Sequence, residues 1–522
     1  MLIQKRYTAI FVPSLVFLLT SFSLRAQFYN LPNDYNFSLL TEKRLAAVDS
    51  SIHTGLKPYI HFFSRNYVNL GDTHHVFKYI KEDPALDLVF YKHFLRVEPK
   101  KEKFKLRVDP LLNLETGKDY LNKTTTGSLL NNTRGIIGSG YIGDKFYFES
   151  LFAETQSFLP YYLSTNVKTT GVIPGQGRWK TFKNTGYDYA FSSGFFSIQV
   201  LKNLNIQAGH GKQKIGNGYR SLLLSDNSFN YPYARATQQW FKGRVQYTNI
   251  YAVLMNLVPS SKFINPNTER LFQKKAASFQ YLSINVTKKI NLGFFQGMIW
   301  KTADDHNKQH LDWHYFNPVI YTNLLTYGLD NKNNILSGMD LKVKLSDKIN
   351  VYGQLMLDKT KKDTMPGGWG YQAGINFFDA LGIKNLFLQA EYNMVKKGSY
   401  LNSENSTTDQ SYSHYNQTLA FTPGCGEEFI FIADYKLKRF FVNARYQYQE
   451  VPSVNAVSAY TSYVSMVNAR IGYLINPAYN LNACMGILYR TQNFSIFNTL
   501  NTQTFYFYLG FKTSIYNLYY DF

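Results

Sequence analysis

The most chemically suggestive stretch of the chain runs from His210 to Asn249 and contains Gly211, Lys212, Lys214, Gly216, Asn217, Gly218, Tyr219, Arg220, Asp226 and Asn227. Tyr219, Arg220, Asp226 and Asn227 bring together an aromatic face, a guanidinium fork, a carboxylate and a planar amide. Such a set can stack on the C–H face of a sugar and pair with vicinal hydroxyls. Lys212 and Lys214 would add attraction for an acidic glycan. The same string also has a purely structural reading, in which the glycines permit backbone shapes closed to other residues and Arg220 pairs with Asp226 inside a protein wall. Glu391 and Asn393 are further candidates, although polar residues are the default on the inward side of a strand whose other face is apolar.

Enzyme chemistry finds little support. There is no Gly-x-Ser-x-Gly elbow, no His-Glu-x-x-His pair and no phosphate-cradling Gly-rich lysine loop. Asp304, Asp305, His306 and His310 offer oxygen and imidazole ligands close together, but nothing in the pattern holds them rigidly. They read as a solvated loop rather than a metal centre, and His74 and His75 carry even less weight. No spacing of Ser, His and carboxamide selects a lipase-like set. The expectation is a protein without catalytic residues, metal or cofactor.

The elements that position the candidate residues are strands. Val442, Ala444, Tyr446 and Tyr448 alternate with Asn443, Arg445, Gln447 and Gln449, and Leu386, Leu388, Ala390, Tyr392 and Met394 with Gln389, Glu391 and Asn393. The same period of two recurs at Leu282, Ile284 and Val286 and from Leu481 to Tyr489. Alternation alone suits either a soluble sandwich or a membrane barrel, and the connections separate them. Tight turns at Gly143 to Lys145, Lys288 to Asn291, Asp347 to Lys348 and Lys438 to Arg439 alternate with long polar loops at 159–186, 303–333 and 397–427. Short turns at one end and long loops at the other predict an all-β fold, a single transmembrane antiparallel barrel of about 18 strands over 101–522, with apolar residues facing lipid and polar ones lining the lumen.

Composition agrees. The 522 residues include 42 Tyr and 41 Phe, mean hydropathy is −0.28, and past residue 24 no apolar run approaches the roughly 20 residues of a spanning helix. Lys5 and Arg6, an apolar stretch from Tyr7 to Leu19 and a small-residue end at Ala26 fit a signal peptide over 1–26. Its removal would take the formal charge from +21 to +18 by loss of Lys5, Arg6 and Arg25. Outside the cytoplasm such a surplus points to lipopolysaccharide phosphates or acidic glycans rather than nucleic acid. Residues 27–100 read as a periplasmic cap or plug with a short helix near 38–53, where Leu45, Val48 and Ile52 fall at helical spacing. Tyr516, Leu518, Tyr520 and Phe522 alternate to an aromatic carboxy terminus, the expected handle for barrel insertion, with a bulge near Ser514. Cys425 and Cys484, placed toward opposite rims, are expected to be unpaired.

The string Gly-Asn-Gly-Tyr-Arg-Ser-Leu-Leu-Leu-Ser-Asp-Asn, followed by Tyr-Pro and Tyr-Thr-Asn, resembles the capsule-assembly outer-membrane barrel family, particularly its Bacteroidetes gliding-motility branch. Further matches follow in the branch's order: Tyr315 to Pro318; Tyr352, Gly353 and Gln354 with Asp358; Glu391, Tyr392 and Asn393; His414 to Gln417. The stretch from Thr418 to Glu427 departs from the pattern, lacking a second His and a basic residue before the acidic pair. The resemblance implies a barrel of about 18 strands with a periplasmic helical segment in the bacterial outer membrane. It also implies no catalysis, extracellular polysaccharide as ligand, outer-membrane lipid and lipopolysaccharide as surroundings, a role in surface adhesion or gliding, and gliding or secretion machinery as partner. The competing expectation from the residues is a diffusion channel for small polar or anionic solutes.

Overall fold

The computed structural model describes residues 35–47, 52–60, 84–99, 103–122, 127–259, 272–301, 316–328, 333–358, 367–401, 411–453, 460–496, 498–513 and 516–522. The expected signal peptide, Asp304 to His310, His74, His75, Tyr315 and the bulge at Ser514 lie outside them.

Eighteen antiparallel strands close a single barrel. They are β1 (Phe104–Asp119), β2 (Leu129–Ile142), β3 (Phe146–Phe158), β4 (Gly186–Leu201), β5 (Leu204–Gly211) and β6 (Tyr231–Trp240). Next come β7 (Val245–Pro259), β8 (Phe272–Asn285), β9 (Ile290–Lys301), β10 (Asn334–Lys344), β11 (Ile349–Leu357) and β12 (Trp369–Phe378). The last six are β13 (Leu386–Val395), β14 (Gly426–Leu437), β15 (Phe440–Pro452), β16 (Thr461–Asn476), β17 (Leu481–Phe494) and β18 (Thr502–Thr513). Closure comes from β18 pairing with β1 over Asn113 to Asp119, and the three-residue strand Leu95–Val97 pairs with Leu106 to Val108 beside that seam.

Every strand is amphipathic in the inverted sense. Val442, Tyr446, Ile487 and Tyr489 are exposed on the outer wall, while Gln389, Glu391, Asn393, Gln447 and Arg490 are buried in the lumen. Outward apolar and inward polar side chains are what a barrel in lipid requires, since closure satisfies the backbone and leaves no edge. No helix among the described residues is long and apolar enough to cross a membrane.

Among the described residues, three of the segments outside the wall that enter the lumen bear on the site. The first is the connection from β5 to β6, residues 212–230, whose Leu222, Leu223 and Leu224 are buried in an apolar cluster with Tyr231, Phe279, Phe295, Tyr412 and Phe421. The second is residues 52–60, where Leu56–Lys57 pairs with Lys214–Ile215 of that connection. Helix α1 (Tyr35–Ala47) precedes it and packs Leu39 and Ala46 on Phe378 and Phe387 near the turn from β12 to β13. Among the described residues the expected helix covers Tyr35–Ala47, Val48 lies outside them, and Ile52 has no helical structure.

The third segment overturns an expectation. Residues 516–522 are not a strand: β18 ends at Thr513, and Tyr516 to Phe522 run inside the barrel. Tyr516 stacks on Phe191 with ring centroids 4.4 Å apart, and Tyr162 donates to the Tyr520 carbonyl at 2.9 Å. The alternating aromatics therefore face a polar and aromatic interior rather than lipid. Asp521 anchors this route, its carboxylate meeting Arg220 at 3.2 Å and Arg445 at 3.3 Å inside the barrel, where a buried acid needs cationic partners. Helix α2 (Tyr161–Thr170), in the long connection from β3 to β4, buries Tyr162, Leu163 and Val167 above this tail. Both cysteines are free and buried, as expected.

Candidate functional site

Strand register builds the site's wall. Asp340, Gln354, Gln372, Asn393, Glu428 and Gln449 are successive cross-strand partners on β10 to β15, so one inward-facing polar row crosses six strands. A parallel row two residues away carries Tyr352, Gly374, Glu391, Ile430 and Gln447. Gly374 leaves the gap through which the Tyr352 hydroxyl crosses to donate to Glu391 at 2.7 Å; a Cβ there would overlap the Tyr352 ring.

The connection between β5 and β6 lies along these rows. Asn217 donates to Asp340 at 3.0 Å, the Leu222 amide to Gln354 at 2.8 Å, and Gln372 to the Arg220 carbonyl at 3.3 Å. The amides of Tyr219 and Arg220 donate to the two Glu391 carboxylate oxygens at 2.6 and 3.0 Å. Gly218 is required for that approach, since a Cβ would fall on the Glu391 carboxylate.

At the centre, the Arg220 guanidinium spans the lumen. Its Nε and Nη2 donate to Glu428 at 3.1 and 2.8 Å, its Nη1 to Thr422 at 3.1 Å and Asp521 Oδ1 at 3.2 Å, and its Nη2 also to the Asp521 carbonyl at 2.9 Å. The second Asp521 oxygen accepts from the Tyr219 hydroxyl at 2.6 Å and lies 3.3 Å from Arg445. Asn393 bridges the acids, donating to Glu391 at 2.9 Å and Glu428 at 3.1 Å. Gln447 and Gln449 donate to Glu428 at 2.6 and 2.7 Å. Arg220 is 1% exposed. Burial works against its charge, but Asp521 and Glu428 outweigh burial and raise its pKa above the ordinary range. Burial likewise disfavours the Asp521 carboxylate, and Arg220 and Arg445 hold its pKa below the usual value.

Of the residues singled out from the sequence, Tyr219, Arg220, Glu391 and Asn393 meet around this point. Lys214 reaches it through the Tyr219 carbonyl at 2.8 Å. Lys212 instead donates to the Gly175 carbonyl at 2.9 Å, and burial lowers its pKa to about 8. The alternative of an Arg220–Asp226 pair is not what forms. Asp226 accepts from the Tyr519 hydroxyl at 2.8 Å and Asn517 at 3.0 Å, because the tail comes between it and the guanidinium. Asn227 is buried near the same tail, its side-chain oxygen without a partner.

Sequence reasoning missed Glu428, Asp521, Thr422 and Tyr519. Glu428 was accessible in principle, as an inward position of an alternating strand, whereas the tail's route through the lumen left no local mark. His414, quoted above only as part of a motif, occupies a hairpin in which Ser413–His414 pairs with Gln417–Thr418 across Tyr415 and Asn416, both at positive φ. Its Nδ1 accepts from the Met255 amide at 3.0 Å and its Nε2 donates to the Asn230 carbonyl at 3.1 Å, which defines a neutral ring. Burial lowers the pKa of His414 to about 3. Among the described residues no group of three His, Cys, Asp or Glu is placed to hold a metal ion. The arrangement offers aromatic faces, amides and charged forks, most of them engaged with one another.

No protein-family model matches the chain, and no curated protein matches it. Among solved structures, OccK3 (OpdO) of Pseudomonas aeruginosa is 11% identical, with 78% of this chain and 94% of that one covered and a TM-score of 0.43. OccAB2 of Acinetobacter baumannii is 11% identical over 78% and 97%, with a TM-score of 0.44. Wzi of Escherichia coli, an outer-membrane protein involved in group 1 capsule assembly and a carbohydrate-binding β-barrel, is 12% identical with a TM-score of 0.57, covering 94% of this chain and 100% of that one. It is to the Wzi barrel, over nearly the whole of both chains, that this chain is similar in fold.

Proposed function

We propose that the protein is a non-enzymatic outer-membrane barrel that binds or organises surface polysaccharide and so supports adhesion or gliding at the cell surface. Short turns then face the periplasm, long loops face outward, and residues 27–100 cap the periplasmic mouth. The observation that carries the reading is the occupied lumen. Residues 212–230 fold back from the long-loop end, residues 516–522 and 52–60 enter alongside, and Arg220 ties loop, tail and wall together. A diffusion channel needs a water-filled path, whereas a barrel filled by its own chain suits a rigid platform for loops. The Wzi likeness lends support, since that barrel binds carbohydrate. Lys212, Lys214, Tyr219, Arg220, Asp226, Asn227, Glu391 and Asn393 remain the proposed polysaccharide contacts. Conductance of the purified barrel in planar bilayers, measured beside its retention on the cell's own polysaccharide, tests the proposal. Retention with little conductance is expected; steady conductance without retention would favour the channel.

A further inference from the structure

The outer wall changes character on β7 to β10. One cross-strand row of outward residues climbs the barrel from the tight turn between β2 and β3, at Ile142 and Phe146, to the long-loop ends of β11 and β12, at Leu357 and Trp369. Toward both ends it is apolar and open, with Ile142, Ile206, Leu357 and Trp369 exposed. Between them it runs Asn249, Gln280, Gln296, Ser337. Polar side chains at that depth would meet hydrocarbon, where an amide without a partner is strongly disfavoured. They are covered instead: Gln280 and Gln296 are 1% exposed, because residues 316–328, from the connection between β9 and β10, lie over the outside of the wall.

Three successive carbonyls of this segment accept from outward side chains: Phe316 from the Tyr251 hydroxyl at 2.9 Å, Asn317 from the Gln280 amide at 2.7 Å and Pro318 from the Tyr247 hydroxyl. Pro318 has no N–H to leave unpaired, and the Val319 amide donates to the Asn317 side-chain oxygen at 3.0 Å. The helical turn Thr322–Tyr327 closes on its own backbone, the Leu325 amide donating to the Tyr321 carbonyl and the Gly328 amide to the Leu324 carbonyl, both at 2.8 Å. Phe316 packs on Tyr251 and Trp300, and Leu324 on Met298, Trp300 and Ile335. Residues 316–328 include no Asp, Glu, Lys or Arg. On the side away from the wall Val319 is exposed and Leu325 is 85% exposed.

A loop bound for water needs neither donors from the wall for its backbone nor an apolar outer side. Irregular backbone persists at membrane depth only where protein satisfies its polar groups, and Tyr247, Tyr251 and Gln280 do that here. The lipid-facing surface continues onto the segment, since Val253 on β7 and Met339 and Leu341 on β10 are exposed beside it. We infer that residues 316–328 form an intramembrane strap, its inner side on the polar row of β7 to β10 and its outer side, with Val319 and Leu325, covered by lipid acyl chains. The inference goes beyond the polysaccharide reading and holds equally for a channel.

The test is nitroxide labelling of Leu325→Cys and, separately, Val319→Cys, with Cys425→Ser and Cys484→Ser in the background. The full-length barrel is reconstituted in phosphatidylcholine vesicles, and native fold is checked by heat-modifiable electrophoretic mobility. Leu355→Cys, exposed on the outer side of β11, is the lipid reference, and Asp144→Cys, in the tight turn between β2 and β3, the water reference. Hydrocarbon admits oxygen and excludes a water-soluble nickel chelate, so the ratio of their collision rates should match Leu355 at both strap positions and exceed Asp144 by about tenfold. Gln280→Leu strands the Asn317 carbonyl while leaving the wall apolar, so it should free the strap and lower the ratio at Leu325 by about threefold. Should Leu325→Cys not fold, Val319→Cys decides alone. Strap labels that read like Asp144 would overturn the inference, and spin–spin broadening between copies would put a second copy in place of lipid. An unchanged ratio in folded Gln280→Leu would overturn the role of the polar row.

Discussion

Arg220→Met replaces the guanidinium at the centre of the lumen by an apolar chain of similar length. The variant leaves Glu428 and Asp521 buried without their shared cation, while Glu391 stays close by on the same wall. Removing one partner of a buried ion pair costs about 3–5 kcal/mol, most of it from the charge left behind. At about 1.4 kcal/mol per tenfold, the folded population falls roughly a hundred- to several-thousandfold relative to the unfolded one. Asp521→Asn is milder: Arg220 keeps Glu428, so the loss is about 1.5–3 kcal/mol, the range for a hydrogen bond to a charged group. In the double variant fewer charges are stranded, and the two losses should fall short of their sum by about 0.5–3 kcal/mol. The control is Arg220→Met with Asp226→Asn, whose coupling should be smaller because Asp226 bonds Tyr519 and Asn517 instead. Urea titration of the barrel in lipid vesicles measures all of these. Wild-type stability in Arg220→Met, or stronger coupling to Asp226 than to Asp521, would refute the assignment of this network.

Deletion of residues 516–522 should raise single-barrel conductance above wild type, since it removes Asp521 and the aromatics that share the lumen with Arg220; an unchanged trace would show that the tail occludes nothing. Acid should loosen the outer loops through His414: its folded pKa of about 3 lies below the unfolded value near 6.5, so its stabilisation is complete above 6.5 and is lost as pH falls toward 3. At pH 4.5 this amounts to about 2–3 kcal/mol, and proteolysis of the 411–421 hairpin should increase there in wild type but much less in His414→Gln. Ile284 faces outward opposite the lumenal Ser283 and Asn285, so Ile284→Cys in membranes should resist a bulky aqueous thiol reagent; ready labelling would contradict a lipid-facing wall.

Much of this architecture is legible in the sequence because a strand's side chains have a period of two. Once Leu388 faces lipid, Gln389 must face the lumen, and the contrast of short turns with long loops orders the strands without further information. Local chemistry also marks positions that matter: Tyr352, Gln354, Glu391 and Asn393, quoted as motif matches, all lie in the lumenal network. Partners are another matter. Arg220 and Asp226 are six positions apart and of opposite charge, yet Arg220 meets Glu428 and Asp521, 208 and 301 residues away. Periodicity cannot reveal this, because pairing across the lumen depends on register summed around the whole barrel and on a tail whose alternating Tyr516 to Phe522 reads equally well as a strand. The wall was thus determined by local alternation, and the filling of the lumen by tertiary structure alone: a buried charge accepts whichever opposite charge the closed barrel brings within hydrogen-bonding distance.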